Sequence, residues 1–274
     1  MSTYNPLQRF FRQPKIYVSL PSKGLYYTPG NLQGDYNQVP IFAMSGIDEL
    51  ILKTPDALFN GESTIKVIES CVPFVKNAGG MPGLDLDALL IAIRIATYGN
   101  ILSINHVCEK CSVDNDYDID LGTILDYFST LTFVNTITIS DEITLNIRPL
   151  LYSEISEFGM EHFKLQKSLM NVDAVPEEER NKAVETLYSQ LSELQIKLFL
   201  TNIEAVRLPD TVVTDKAFIE EWLRNTDKDI FAKIKTNLEG NRDKWAIPSQ
   251  TIKCAECGHE DQITVVLDQS NFFG

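Results

Sequence analysis

The stretch Cys108-Glu109-Lys110-Cys111 is a C-x-x-C motif, and the chain repeats the pattern much later as Cys254-Ala255-Glu256-Cys257. Two cysteines separated by two residues are a common spacing for metal-binding knuckles. Four thiolates also match the ligand count of a closed tetrahedral zinc site. We therefore predict one structural Zn²⁺ ion, bound by Cys108, Cys111, Cys254 and Cys257.

Each motif lies between two segments that have the pattern of β-strands. Residues 101–107 and 113–121 flank the first motif, and residues 251–253 and 262–267 flank the second. Apolar and acidic side chains alternate along residues 113–121, as expected of a strand with one buried face. The two segments predict a split zinc-ribbon-like β element, in which the ion clamps an early part of the chain to its last residues.

The composition is that of an ordinary globular protein of 274 residues, 44% hydrophobic and 23% charged. No run approaches the roughly 18 apolar residues of a membrane span. The opening residues lack a basic segment followed by an apolar one, so we expect no signal peptide and synthesis in a cytoplasm. In that compartment cysteines favour metal binding over disulfides. The fifth cysteine, Cys71, stands among apolar residues and is expected in the core.

The net charge of −14 argues against a nucleic-acid groove as the main binding site, because phosphate binding needs clustered Lys and Arg. A zinc-ribbon nucleic-acid or transcription adaptor nevertheless remains the alternative function, because zinc ribbons often bind nucleic acid. We expect neither a membrane nor a nucleic acid as partner.

The sequence offers no catalytic constellation, and we predict that the protein is not an enzyme. A site with four sulfur ligands has no open position for water or substrate. His106 and His259 stand near the knuckles, but with four cysteines available we expect them outside the ligand set. The glycine-rich segment 79–83 lacks the Lys-Ser/Thr and the preceding strand of a phosphate-binding loop.

The coarse organisation is α+β, with a mostly helical body. Proline and glycine recur through residues 1–40 and predict an extended N-terminal arm. Residues 41–150 are expected to form a helical and β core with the first knuckle, and within it Asp85 is placed to cap an apolar helix over 86–98. Residues 151–246 form a helical region, and residues 247–274 form the second knuckle and a tail that packs on the first.

Two successive heptad-like patterns predict a long antiparallel helical hairpin in the region 151–246. The residues at its heptad positions are Leu151, Ile155, Phe158, His162, Leu165 and Leu169, followed by Val184, Leu187, Leu191, Leu194 and Leu198. His162 is expected to be a core histidine. The hairpin either packs against the rest of the fold or protrudes and contacts partners.

Aromatic side chains are concentrated near both ends of the chain. An extended arm with aromatic residues needs a surface to cover, on its own body or on a neighbouring subunit. The same applies to the two phenylalanines near the C-terminus, which dock back or dock onto a neighbour. The candidate partner-binding residues are therefore Phe10, Phe11, Tyr17, Tyr26, Phe272 and Phe273.

Several segments together resemble the baseplate hub and hub-assembly proteins of T4-like contractile-tailed bacteriophages. The resemblance is strongest over residues 16–121 and weak over 122–250, and the helix that ends in Arg94-Ile-Ala-Thr-Tyr-Gly99 is its most specific part. The other segments are Leu20-Pro-Ser-Lys-Gly24, Tyr26-Tyr27, Val39-Pro-Ile41, Asp48-Glu49-Leu50, Leu52–Leu58, Asn60-Gly61, Ser70-Cys71-Val72 and the first knuckle.

The resemblance implies a non-enzymatic structural or assembly role in the hub region of a contractile tail baseplate. It implies other baseplate or tail proteins as partners, with a homo-oligomer within the assembly as a further option. The implied location is the virion tail, and the host cytoplasm during assembly. Members that stay in the virion and members that only promote hub assembly are not distinguished by the sequence.

Overall fold

The structure is a computed structural model that describes residues 5–53, 61–172, 176–267 and 272–273. The segments Leu52–Leu58 and Asn60-Gly61 of the family resemblance lie largely outside these residues. The described residues form both helices and antiparallel sheets, which confirms the predicted mixed α and β class.

Eight α-helices lie in the described part of the chain. They are Gly46–Leu52 (α1), Glu62–Cys71 (α2), Leu86–Tyr98 (α3), Leu121–Thr130 (α4), Tyr152–Met170 (α5), Glu177–Asn202 (α6), Lys216–Asn225 (α7) and Lys228–Lys244 (α8).

The strands of the described residues pair only in antiparallel fashion. They are Pro14–Val18 (β1), Val39–Phe42 (β2), Ile101–Val107 (β3), Asp114–Asp120 (β4), Thr136–Thr138 (β5), Thr144–Ile147 (β6), Ile203–Arg207 (β7), Val212–Val213 (β8), Gln250–Lys253 (β9) and Glu260–Ile263 (β10). Strands β1 and β2, β3 and β4, and β9 and β10 form three two-stranded sheets, whereas β5–β8 form one four-stranded sheet in sequential order.

The chain divides into two compact units. Unit 1 contains residues 5–53, Glu62–Leu131 and the residues from Ile247 onward, so both knuckles belong to it. Unit 2 contains Gly61 and Thr132–Ala246. Residues 132–150, which we predicted to lie in one domain with the first knuckle, belong to unit 2.

Helix α3 supplies much of the core of unit 1. Its apolar run leaves Leu89, Ile91 and Ile93 fully buried. The helix ends at Gly99, whose φ of 93° is accessible to glycine at little cost and whose N–H closes the last turn on the carbonyl of Ile95. The predicted bounds of this helix agree with the observed ones.

Asp85 occupies the N-cap position of α3, but its side chain makes no capping hydrogen bond, so the capping role predicted for the side chain is wrong. Its carboxylate is fully buried and accepts hydrogen bonds from the Ser22 N–H at 2.7 Å, the Ser22 hydroxyl at 2.6 Å and the Tyr27 hydroxyl at 2.8 Å. Burial raises the pKa of Asp85 to about 6, although these hydrogen bonds act in the opposite direction. The carboxylate therefore fixes the Ser22–Tyr27 loop to the start of α3.

The described part of the predicted N-terminal arm is only partly exposed. Residues Pro6–Phe10 form a short 3₁₀-helix in which no residue is buried. The chain then enters β1, which pairs with β2, and Leu20, Val39 and Ile41 are buried in the core. The arm thus consists of an exposed first segment and a second segment that is integral to unit 1.

Arg12 anchors the exposed segment of the arm. Its guanidinium donates to the carbonyl oxygen of Ala43 at 2.7 Å, to Asp48 Oδ2 at 3.0 Å and to the carbonyl oxygen of Ser70 at 2.8 Å. It also lies 3.8 Å from the sulfur of Cys71, which is fully buried as expected. These contacts hold the arm against α1 and α2.

Unit 2 is built on the four-stranded sheet and on α5–α8. Its core includes Leu145, Phe199, Ile203 and Ile234, each at most 1% exposed, and the rings of Phe199 and Phe231 lie 4.8 Å apart. Strands β7 and β8 were not predicted. They complete the sheet by pairing β7 with β6, whose residues lie about 60 positions earlier in the chain.

Helices α5 and α6 contain 19 and 26 residues. Lys197 near the end of α6 forms ion pairs with Glu157 at 2.8 Å and Glu161 at 3.4 Å, both in the first half of α5. Tyr152 is the one buried residue of α5. His162 is exposed rather than buried, so its predicted core role is wrong.

Candidate metal centre

The first knuckle is the turn that connects β3 to β4. The strands stay in register up to the pair Val107 and Asp114, immediately outside the motif. The N–H of Cys108 then donates to the carbonyl of Val113 at 3.0 Å, and the carbonyl of Cys108 accepts from the N–H of Ser112 at 2.9 Å. Ser112 has a φ of 57°, so the chain reverses through a left-handed residue directly after the motif.

The second knuckle repeats this geometry residue by residue. The N–H of Cys254 donates to the carbonyl of His259 at 2.8 Å, and the carbonyl of Cys254 accepts from the N–H of Gly258 at 3.0 Å. Gly258, with a φ of 69°, takes the position that Ser112 has in the first knuckle. In both knuckles the two cysteines of the motif therefore lie in one tight turn, as the C-x-x-C spacing predicts.

The two knuckles bring their four sulfurs together. All four Sγ atoms lie within 4.8 Å of one another. Each sulfur has a close neighbour from the other knuckle, at 3.7 Å between Cys108 and Cys257 and at 3.6 Å between Cys111 and Cys254. Zn–S bonds of about 2.3 Å in a tetrahedron place sulfurs about 3.8 Å apart. The four cysteines can therefore hold one metal ion.

The surroundings of the sulfurs affect their ionisation unequally. Backbone N–H groups of Cys257 and Glu256 lower the pKa of the Cys254 thiol to about 6, against the effect of its burial. For Cys111 a backbone hydrogen bond with Val113 acts to lower the pKa, but desolvation and the three neighbouring sulfurs together raise it to about 12. A bound cation would favour the thiolate form of all four.

Asn115 on β4 links the first knuckle to the second. Its amide nitrogen lies 3.6 Å from the sulfur of Cys254, and its Oδ1 accepts a hydrogen bond from the N–H of Ala255 at 3.2 Å. The same side chain donates to the carbonyl of Val113 at 2.9 Å, which fixes its orientation. Sequence reasoning missed Asn115, because one polar residue on a strand gives no signal of its own.

The two histidines near the knuckles do not belong to the sulfur cluster. Among the described residues the group that could hold a metal consists of the four cysteines alone. His106 and His259 instead face the carboxylate of Asp261, at 3.4 Å and 3.1 Å respectively. A metal ion bound by all four sulfurs would have four ligands, the number found in closed zinc sites.

The aromatic residues suggested for partner contacts differ in exposure. Phe10, Phe11 and Tyr17 are 70%, 57% and 63% exposed, whereas Tyr26 is half-buried at a φ of 67°. Two others, Phe272 and Phe273, are buried within the chain, and their rings contact edge to face at 5.0 Å. The chain itself covers this last pair, with Arg94 donating to the carbonyl of Phe272 at 2.8 Å.

The chain is therefore a protein with a candidate metal centre, built from two antiparallel hairpins that share one cluster of four cysteines. The family model described as T4 bacteriophage base plate protein matches residues 38–274, which is most of the chain. The chain therefore belongs to the T4 bacteriophage base plate protein family. No curated protein and no solved structure matches it significantly.

Family membership confirms the predicted resemblance. The match includes residues 122–250, where the resemblance is weak, and begins after residues 16–37, which the resemblance also included. It implies contacts with other baseplate or tail proteins and a place in the tail of a phage particle. The finer assignment to the hub stays a prediction. None of the helices formed by the described residues is long and apolar enough to cross a lipid bilayer.

Proposed function

We propose that this protein is a non-enzymatic structural or assembly protein of the hub region in a contractile phage tail baseplate. It acts through contacts with other baseplate or tail proteins, and a structural zinc ion clamps its two knuckles. The observation that carries the proposal is the four-cysteine cluster within a chain of the baseplate family. The net charge of −14 opposes the alternative of a nucleic-acid adaptor.

Zinc is the metal that the ligand set favours. Soft thiolate ligands in a tetrahedral arrangement suit Zn²⁺ or an iron–sulfur centre. The four sulfurs of Cys108, Cys111, Cys254 and Cys257 are spaced for a single ion, and Zn²⁺ in such a site supplies folding free energy and no redox chemistry. The ion would join the β3–β4 hairpin to the β9–β10 hairpin of unit 1.

The exposed segment of the N-terminal arm is the proposed contact surface for a partner. Phe10 and Phe11 of this segment, and Tyr17 on the strand β1 that follows it, are each more than half exposed, which is unfavourable in water and favourable against another protein. Arg12 holds the segment in place through hydrogen bonds to α1 and α2, so part of the ordering cost of binding is already met within unit 1. Phe272 and Phe273 are left out because the chain buries them.

The test of the structural role is quantitative mass spectrometry of purified virions against whole infected lysate. A structural baseplate subunit is present in particles at a fixed ratio to other tail proteins. An assembly factor is abundant in lysate and absent from particles. Absence from both particles and tail assembly intermediates would overturn the proposal.

The contact surface is tested by Phe10→Ala and Phe11→Ala in the infecting phage. We expect reduced incorporation or fewer assembled baseplates, with the stability of the isolated chain unchanged. Phe163→Ala, a replacement of a similarly exposed phenylalanine in unit 2, is the matched control.

A further inference from the structure

Asp261 on β10 lies between two histidines that come from different knuckles. Its Oδ1 is 3.1 Å from Nε2 of His259 in the second knuckle, and its Oδ2 is 3.4 Å from Nε2 of His106 on β3. The Asp261 side chain is only 9% exposed. Each carboxylate oxygen therefore faces one imidazole, and the three side chains connect β10 to β3.

The position of His106 strengthens the connection. His106 stands opposite Asn115 in the β3–β4 pairing, and Asn115 already contacts the second knuckle at Ala255. Nε2 of His106 is buried and has no well-aligned hydrogen bond to any described residue. A buried ring nitrogen without a partner is costly, and Asp261 Oδ2 is the acceptor within reach of it.

We propose that Asp261 is a positioning residue that holds the second knuckle against the first before any metal binds. The inference rests on the proposed metal centre but concerns contacts that need no ion. With the knuckles held together, the four sulfurs are close to their final positions, so less ordering remains when the ion arrives. Asp261 would thus raise the metal affinity without being a ligand.

The direct test is hydrogen exchange of the full chain after metal removal with a chelator. We expect Asp261→Ala to speed exchange in β9 and β10, because the second knuckle loses its contact with β3. Glu260→Ala is the matched control, since it removes the same charge from the neighbouring exposed position of β10. Exchange in β7 of unit 2 serves as the internal reference for correct folding.

A second variant tests whether faster exchange comes from the lost contact or from local misfolding of β10. His106→Ala removes the partner on β3 and leaves β10 unchanged in sequence, so it should reproduce the faster exchange of Asp261→Ala. Adding His106→Ala to Asp261→Ala should have little further effect, because Asp261→Ala has already removed the contact between Asp261 and His106. Equal protection of β9 and β10 in the metal-free wild type and in Asp261→Ala would overturn the positioning role.

Metal affinity is the second readout, measured by competition for Zn²⁺ with a chromogenic chelator. We expect Asp261→Ala to weaken binding roughly 10- to 100-fold, as changes in outer-shell partners commonly do. The visible spectrum of the Co²⁺-loaded variant should keep its four-sulfur signature, since no ligand is lost. Unchanged affinity in Asp261→Ala would reject the positioning role and leave the zinc centre standing.

Different results would reject the zinc centre and the positioning role of Asp261. A wild-type chain that binds no metal, yet loses protection of β9 and β10 in Asp261→Ala, would reject the zinc centre and keep the contact between the knuckles.

Discussion

The sulfurs of Cys111 and Cys254 lie 3.6 Å apart, although 143 positions separate the two residues in the chain. The residues of unit 2, Thr132–Ala246, lie between them in the sequence. The first and last segments of unit 1 therefore meet at the cysteine cluster after the chain has built a whole second unit. A link between such distant segments restricts the unfolded chain strongly, so a metal at this point should stabilise unit 1.

Replacing one cysteine of the cluster should show how much the metal site contributes to the stability of unit 1. We expect Cys108→Ser to lose the bound metal and to lower the free energy of unfolding by on the order of several kcal/mol, because a structural site contributes folding free energy directly. Denaturant unfolding combined with metal analysis measures both. Cys71→Ser is the control: this buried cysteine lies outside the cluster, so its replacement should leave the metal content unchanged. Wild-type melting and metal content in Cys108→Ser would refute the clamp.

The phenylalanines at the two ends of the chain should respond differently to truncation. Phe272 is 1% exposed, and we expect Phe272→Ala to lower the free energy of unfolding by about 3–5 kcal/mol, as for other buried aromatic residues. Phe10 is 70% exposed, and Phe10→Ala should change stability by less than about 0.5 kcal/mol. Urea unfolding of both variants makes the comparison. Similar small effects for the two would mean that the C-terminal pair does not belong to the core.

Arg12 should control the order of the N-terminal arm. Arg12→Ala removes the donor to Asp48, whose side chain is 4% exposed, and leaves that carboxylate without its cation. We expect a loss of about 1–3 kcal/mol in the free energy of unfolding and faster proteolysis around residues 5–13. Arg9→Ala is the matched control, because Arg9 contacts only the neighbouring ring of Phe10, at 4.7 Å to its centroid, among the contacts described for it. Cleavage of both variants at the wild-type rate would contradict the anchoring role.

The stability of the protein should depend on pH through two carboxyl groups near the start of α3. Burial raises the pKa of Asp85 and of Asp87 from 3.8 to about 6. A carboxyl group with a higher pKa in the folded state binds more protons when folded, so its contribution to stability falls as the pH rises from about 4 to about 6.

Asp87→Asn should therefore make the free energy of unfolding fall less steeply as the pH rises from about 4 to about 6. We expect the variant to gain about 1–3 kcal/mol relative to the wild type between pH 4 and pH 7, with Asp210→Asn, an exposed carboxylate of unit 2, as the control. Urea unfolding at a series of pH values tests this expectation. Parallel profiles for Asp87→Asn and the wild type would show that Asp87 is not desolvated.

Features encoded by nearby residues could be predicted from the sequence. The knuckle strands follow from alternation around each C-x-x-C motif, and α3 follows from an apolar run that ends at Gly99. The grouping of the four cysteines required one further step, which was to match two pairs of thiolates to the ligand count of one ion. These predictions depend on spacing within about ten residues or on a known coordination number.

Features that depend on distant partners could not be predicted. Strand β7 is defined by its pairing with β6, about 60 positions earlier, and its short sequence Ile203–Arg207 continues directly from helix α6. Asp85 has the residue type and position of a helix cap, but its partners Ser22 and Tyr27 lie about 60 positions upstream. Asp261 likewise resembles any acidic residue on an exposed strand until His106 is placed beside it.

The most direct measurement of the central claim is zinc X-ray absorption spectroscopy of the purified full chain. The four-cysteine clamp predicts one zinc per chain with four sulfur neighbours at about 2.3 Å and no nitrogen or oxygen in the first shell. A chain purified without zinc that cannot be loaded with it, or a zinc shell containing imidazole or water, would contradict the clamp.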